Sequence, residues 1–259
     1  MGGDNVRLHV LSDLHLEHGS PAPGRVEADV VVLAGDIATG TGGVEWARAW
    51  AADRPLVYVS GNHELYGQAL PELLEELRRA AAGSSVHVLE HEQRMIGGVR
   101  FLGCTLWSDF DYDGPARRAL SMRVCERVVN DYKLITFGPQ GRALTARDTR
   151  NLHLASRRWL TARLADHHDG PTVVVTHHAP LIGTRPQSPE LRALAGAFAS
   201  DLTELIDARQ VALWIFGHTH QATDVVIAGA RVLSNPYGYP HQRVAGFDPG
   251  LVIELDDPR

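Results

Sequence analysis

The sequence predicts an α/β fold in which two mixed sheets pack together with helices outside. Three observations predict it. Short apolar runs rich in β-branched residues recur at Val6 to Leu11, Val30 to Ala34, Leu56 to Val59, Thr172 to Val175 and Val211 to Phe216, and runs of this kind read as buried strands. Helical patterns separate several of them, which favours parallel pairing. Further strand patterns exceed what one parallel sheet needs, and two packed sheets beneath outer helices accommodate the count. With 259 residues the chain can bury a large core and is expected to form one domain over 1–259.

The elements follow in order. The first half reads strand, loop, strand, helix, strand, loop, helix. Residues 71–82 form the clearest helix: Leu70, Leu73, Leu74 and Leu77 share a face, Pro71 and Glu72 suit the first turn, and Arg78 and Arg79 suit the last. Gly83 is a fitting stop. Strands are expected over 86–89, 93–96 and 99–104, with Gly97-Gly98 as a hairpin turn. Residues 105–144 look irregular. Thr145-Ala146-Arg147-Asp148 resembles a capping box, opening a helix whose apolar stripe is Leu152, Ala155, Trp159, Leu160 and Leu164. Residues 180–190, with Pro180, Pro186 and Pro189, read as a loop, and 191–208 as mostly helical. Residues 221–254 suggest antiparallel strands with turns at Gly229 and Asn235-Pro236.

Composition narrows the function. A formal net charge of -6 argues against general nucleic-acid attraction, although a metal site would set its own local field. The two cysteines, Cys104 and Cys125, lack C-x-x-C spacing, so neither a disulfide framework nor a thiolate zinc site is expected; two reduced thiols fit a reducing compartment. No signal-peptide pattern is visible, Met1-Gly2 fails the myristoylation pattern at Val6, and no apolar run approaches the ~20 residues of a membrane span. A soluble cytoplasmic protein is the expectation, with no membrane partner.

The chemistry sits in five polar clusters, each following an apolar run. They are Asp13-Leu14-His15, Gly35-Asp36, Gly61-Asn62-His63-Glu64, His177-His178 and Gly217-His218-Thr219-His220. Loops at the carboxyl ends of parallel strands gather into one crevice, so clusters spread over two hundred residues are expected to meet. Singly, each has a plain alternative: Asp-x-His or Gly-Asp at a strand end serves as a cap or turn, and Gly-Asn tolerates positive φ. Together they hold carboxylates, an amide and imidazoles enough for two metal ions. With no thiolate among them, such donors suit Mn, Fe, Zn or Co better than Mg or Ca.

In that order, D-x-H, G-D, G-N-H-[DE], a later His and G-H-x-H resemble the calcineurin-like metallophosphoesterase superfamily, over Asp13 to His220. The resemblance implies a four-layer α-β-β-α sandwich and hydrolysis of small phosphomonoesters or phosphodiesters at a dinuclear centre by a metal-bridging hydroxide. Carried over by position, it implies one ion on Asp13, His15 and His220, a second on Asn62, His177 and His218, and Asp36 bridging both. His63 is implied to face the substrate as a catalytic residue, where a protonated imidazole stabilises the transferring phosphoryl group or protonates the leaving oxygen, with Asp13 orienting it. His178 is implied to support the site or face the substrate. Glu64 and the histidines 9, 18, 87, 91, 153, 167, 168 and 241 are assigned surface or packing roles. A non-catalytic binding module on the same fold is the alternative, and it should have lost ligands that this chain retains. An amide- or lactone-cleaving binuclear hydrolase of the H-x-H-x-D-H type is excluded by the absence of that motif.

Substrate choice is expected to lie in residues 105–144. Tyr112 could stack on the substrate, and Arg117 and Arg123, on a predicted helix, could bind a second phosphate or carboxylate. Equally, the segment could be an insertion packed on a sheet edge. Asn235 or a tyrosine of Tyr237-Gly238-Tyr239 could reach the rim, although packed aromatics at a proline turn are the stronger reading.

Overall fold

The computed structural model describes residues 5–183 and 187–255; Met1-Gly2 and Pro186, which entered the expectations above, lie outside the described residues. One five-stranded sheet is built from β1 (Val6–Leu11), β2 (Val30–Ala34), β3 (Leu56–Val59), β4 (Val86–Val88) and, near the carboxyl end, β11 (Val252–Leu255), in the order β11-β1-β2-β3-β4. The β1 to β4 neighbours pair in parallel, and β11 pairs antiparallel with β1. The second sheet holds β5 (Glu92–Ile96), β6 (Val99–Cys104), β7 (Thr172–Thr176), β8 (Leu213–Phe216), β9 (Thr223–Ile227) and β10 (Ala230–Ser234), in the order β9-β10-β8-β7-β6-β5. Its inner neighbours are parallel, and the edge strands β5 and β9 are antiparallel.

Side-chain alternation makes these sheets the middle of four layers. Leu8, Val10, Val30, Val32, Val57 and Val59 of the first sheet meet Phe101, Val173, Val175, Leu213 and Ile215 of the second. The intervening residues face outward onto helices. Leu33 and Tyr58 pack with Val44 and Ala47 of α1 (Gly42–Ala51) and with Leu73 and Leu77 of α2 (Glu72–Ala81). On the other side Val174 and Trp214 pack with Leu160 and Leu164. Strands buried on both faces cannot show polar alternation, which is why they read as solid apolar runs. The four-layer sandwich expected from the sequence is the fold observed.

Several local expectations hold and others shift. The hairpin turn at Gly97-Gly98 has positive φ at both residues, and the Thr145–Asp148 capping box forms reciprocally at the start of a 20-residue helix, Ala146–Ala165. That helix buries Thr149, His153 and Ser156 rather than an all-apolar stripe. Their partners explain the change: Thr149 Oγ1 meets Tyr132 OH, His153 Nδ1 meets the Trp107 carbonyl, and Ser156 Oγ meets His91 Nε2. Residues 191–208 are not one helix; a single 3₁₀ turn lies at Thr203–Leu205, and the α-helical stretch is Pro189–Ala195. There Gly196 lies so close to Ser121 that a Cβ would collide with its hydroxyl, and the chain then bridges back at Ala199 to Ala179. Within 105–144 two α-helices occur, α3 (Arg118–Val128) and α4 (Asp131–Leu134), after a 3₁₀ turn at Pro115–Arg117. Cys104 and Cys125 are buried free thiols. No helix among the described residues is long and apolar enough to cross a membrane.

Candidate metal centre

The five clusters converge at the carboxyl ends of β1, β2, β3, β7 and β8. The loops after β1, β2 and β8 turn sharply as their strands stop, and the backbone records this. Asp13, His15, Asp36, His218 and His220 all have positive φ, between 47° and 67°. That region costs a non-glycine residue of order 1–3 kcal/mol, and five such residues in one crevice mark a built site. The glycines have a steric cause. A Cβ on Gly35 would strike the His177 imidazole, one on Gly61 would strike Asp36, and one on Gly217 would lie 2.6 Å from Asp13 Oδ2. Each glycine therefore lets a side chain of another loop approach its backbone.

Two donor groups result. In the first, His15 Nε2 and His220 Nε2 face each other at 3.1 Å, and Asp13 Oδ1 lies 3.5 Å from His220 Nε2. In the second, His177 Nε2 lies 3.0 Å from Asn62 Oδ1 and 3.3 Å from Asp36 Oδ1, with His218 completing the group. Asp36 stands between them, its Oδ2 3.9 Å from His15 Nε2. Asp13 Oδ2 and His218 Nε2 are buried and lack a hydrogen-bond partner among the described residues. Imidazole nitrogens opposed to each other and orphaned buried acceptors fit cations, which would satisfy them all. Ring orientations are already fixed from behind: His177 Nδ1 is 2.9 Å from the Ala34 carbonyl and His15 Nδ1 is 3.2 Å from Glu17 Oε1. Such contacts leave Nε2 free for a metal.

The local field agrees. Burial pushes Asp36 up, but His177 and His63 more than offset it and hold the carboxyl well below its usual range. Burial pulls His177 down, yet Asp36 raises it to about 10. Burial and neighbouring imidazoles push His218 well below its usual value. A buried carboxylate in a ring of histidines thus already calls for positive charge.

His63 opens the 3₁₀ turn His63–Leu65, where its backbone N–H donates to Asp36 Oδ1 at 2.9 Å. Its ring is set by other residues than expected. Nδ1 lies 3.2 Å from Glu17 Oε1, and Nε2 lies 3.1 Å from the Tyr239 hydroxyl. Asp13 is not its orienting partner; Asp13 Oδ1 accepts the His218 backbone N–H at 2.8 Å. The reason is the left-handed turn at His15, which carries Glu17 under the imidazole while Asp13 stays with the Gly217 loop. Glu17, His15, His18 and His63 also form a donor group, but its carboxylate oxygen is already shared by His15 and His63.

Burial pulls His63 down, but Asp36 and Glu17 more than offset this and raise it to about 9. Glu17, pushed up by burial, is drawn down to about 2 by the two imidazoles. In the metal-free protein, NMR titration of His63 should therefore give a midpoint near 9. Glu17→Gln removes a carboxylate that favours the imidazolium, so the midpoint should fall. A midpoint that stays put in the variant would remove Glu17 from this role.

Glu64 does more than pack. Fully buried, it accepts the backbone N–H groups of Asp36, Ile37 and Gly61 and the Tyr58 hydroxyl. It thereby ties the loop after β2 to the loop after β3. Asn235, also buried, donates to the Val10 and Asp248 carbonyls and is not at the rim. Tyr239 is, because the Tyr237 and Gly238 amides donate to the Ser12 and Asp13 carbonyls and lay the segment over the site.

A cleft of about 610 Å³ opens beside His63, lined in part by Glu17, His18, Tyr66, Asn130, Tyr239 and His241. His18 and His241 therefore sit at the site rather than on indifferent surface. The residues proposed for substrate contact fall elsewhere. Arg117 and Arg123 are exposed and do not line this cleft; the cation drawn inward on that helix, Arg118, pairs with Asp111. Tyr112 lines a second, more apolar groove with Leu181, Phe198 and Thr219. His178 is buried between Trp107 and His218, its Nδ1 3.1 Å from the Thr105 carbonyl. It supports the site and does not face the cleft; burial and His177 push it down to about 3.

Comparison with known proteins agrees with this geometry. The model of the calcineurin-like phosphoesterase family matches residues 6–222. An uncharacterised protein, L509, of Acanthamoeba polyphaga mimivirus is 26% identical over 216 residues, covering 78% of this chain and 74% of that protein. Among solved structures, the phosphopantetheinyl hydrolase PptH of Mycobacterium tuberculosis superposes with a TM-score of 0.74 at 20% identity, covering 98% of this chain and 96% of that one. At that identity the likeness concerns the fold.

Proposed function

The chain belongs to the calcineurin-like phosphoesterase family, and from that premise we propose that it hydrolyses small phosphomonoesters or phosphodiesters with two metal ions. The observation that carries the reading is the convergence of two donor groups, Asp13–His15–His220 and Asp36–His177–His218, on one crevice beside His63. We assign Asp13, His15 and His220 to one ion, Asn62, His177 and His218 to the other, and Asp36 to both. Oxygen and nitrogen donors without thiolate suit Mn, Fe, Zn or Co. Bound there, such ions supply a clamp for phosphoryl oxygen and an acidified water.

The chain's own residues supply the remaining chemistry. His63 holds a proton at Nε2, on the side where the Tyr239 hydroxyl lies, and gives it to the leaving oxygen. Glu17 holds Nδ1–H and so keeps the ring turned toward the substrate. The leaving group occupies the cleft lined by Tyr66, Asn130, Tyr239 and His241. Its described lining residues include Glu17 and no Lys or Arg, so an uncharged polar or aromatic leaving group is preferred over one bearing a second phosphate. Pantetheine, an uncharged amide chain, has this character, and a phosphopantetheinyl ester is a candidate substrate.

A panel tests the reading: alkyl and aryl phosphomonoesters, a phosphopantetheinyl diester and a nucleoside bisphosphate, each with Mn, Fe, Zn or Co. Turnover should need metal and stop with chelator. Esters with uncharged arms should exceed those with a second phosphate by roughly tenfold in kcat/KM, a difference of ~1.4 kcal/mol. Metal-loaded protein without turnover on any ester would defeat the proposal.

A further inference from the structure

One buried carboxylate at the centre forms no ion pair among the described residues and has no place in the reaction described above. Asp131 begins α4, within the segment 105–144, and is 2% exposed. Its Oδ1 accepts the Asn62 side-chain Nδ2–H at 2.8 Å and the Tyr66 hydroxyl at 2.9 Å. Asn62 Nδ2 also lies 3.2 Å from the Tyr66 oxygen. The donors and acceptors can be assigned completely. Tyr66 gives its proton to Asp131, so its lone pair accepts the second hydrogen of Asn62 Nδ2.

This arrangement decides which end of the Asn62 amide faces the centre. An amide has one face that can bind a cation and one that repels it. Both neighbours at the Nδ2 end are acceptors, so a flipped amide would oppose its oxygen to a carboxylate. The unflipped amide aims Oδ1 at His177 Nε2, 3.0 Å away. We infer that Asp131 is a positioning residue that locks the Asn62 carbonyl oxygen toward the second metal position, so that the segment 105–144 helps build the metal centre. The inference rests on the ligand role proposed above for Asn62. It also gives that segment a duty distinct from substrate choice.

Titration of metal-free protein with Co²⁺, followed by calorimetry and by the cobalt absorption bands, tests it. Wild type should take up two ions. Asp131→Ala, with folding checked by circular dichroism, should bind one ion as wild type does and the other about 10–100-fold more weakly. An exchange of groups covers the case in which Asp131→Ala does not fold. Asn62→Asp sets two carboxylates against each other and should weaken the second ion. Adding Asp131→Asn restores one carboxylate and one amide, and a carboxylate ligand has no wrong face, so the double variant should recover the second ion. Two-ion binding by Asp131→Ala indistinguishable from wild type, or a double variant as weak as Asn62→Asp, would overturn the inference. Wild type lacking a second ion would instead overturn the centre itself.

Discussion

His63→Ala is expected to lower kcat by ~10²–10⁴ while both metal ions stay bound. The ions should stay because the ring serves neither donor group: Nδ1 is at Glu17 and Nε2 is at Tyr239. What disappears is a proton held where an ester oxygen would depart. The loss should therefore depend on the leaving group. An alkoxide needs that proton, so alkyl phosphates should show the full decrease. Nitrophenolate is a stable anion and needs it far less, so nitrophenyl phosphate should show a much smaller one. Metal analysis of the purified variant and kcat on both substrates check the two halves separately. Equal losses on both substrates would mean that His63 binds the phosphoryl group rather than protonating the leaving oxygen, and unchanged turnover in the metal-loaded variant would remove it from the reaction. Loss of an ion would mean that the ring holds metal after all.

The parts of this site that were legible in the sequence share a local cause. Each donor loop turns back as its strand ends, and the close approach of a second loop demands glycine at Gly35, Gly61 and Gly217. Strand, glycine and ligand therefore sit in a few consecutive residues at three of the five clusters, and at the other two, Asp13-Leu14-His15 and His177-His178, the ligands follow the strand directly. The inner strands β2, β3 and β8 were legible for a related reason, since burial on both faces leaves them apolar throughout. The supporting residues have no such signature. Glu17 reaches His63 across 46 residues and Tyr239 reaches it across 176. Each stands in a plain loop whose course is set by hydrogen bonds elsewhere. The family resemblance alone put Asp13 beside His63, and only the left-handed turn at His15 brings Glu17 there instead. The long helix Ala146–Ala165 misleads in the same way: Thr149, His153 and Ser156 look like a solvated face until their distant partners are in view.

Glu64 illustrates how much a residue adjacent to a motif can carry, and Glu64→Gln should lower stability by roughly 2–5 kcal/mol. The substitution preserves shape and removes only acceptor capacity. In the native arrangement Oε2 receives the Asp36 and Gly61 amides at 3.1 and 2.8 Å, and Oε1 receives the Ile37 amide and the Tyr58 hydroxyl at 2.8 and 2.7 Å. A carboxylate is the only side-chain group that can accept at both ends. Glutamine must turn its NH₂ toward one pair of donors. Facing Asp36 and Gly61, it opposes two backbone N–H groups that cannot rotate; facing Ile37 and Tyr58, only the hydroxyl can turn away. Either way a backbone N–H buried beside the 0% exposed Glu64 loses its partner. The stored strain makes this worse, because Asp36 keeps its left-handed backbone (φ 55°) against a cost that neighbouring hydrogen bonds offset. For a chain of this size 3 kcal/mol corresponds to a fall in Tm of ~6–12 °C, readable by calorimetry on metal-free protein. Because the same carboxylate ties the Asp36 loop to the Gly61 loop, the variant should also bind metal more weakly at the temperature where wild type binds it fully. A Tm within 2 °C of wild type would show that the loops keep their places without Glu64, and that their geometry is set by the strands and glycines alone.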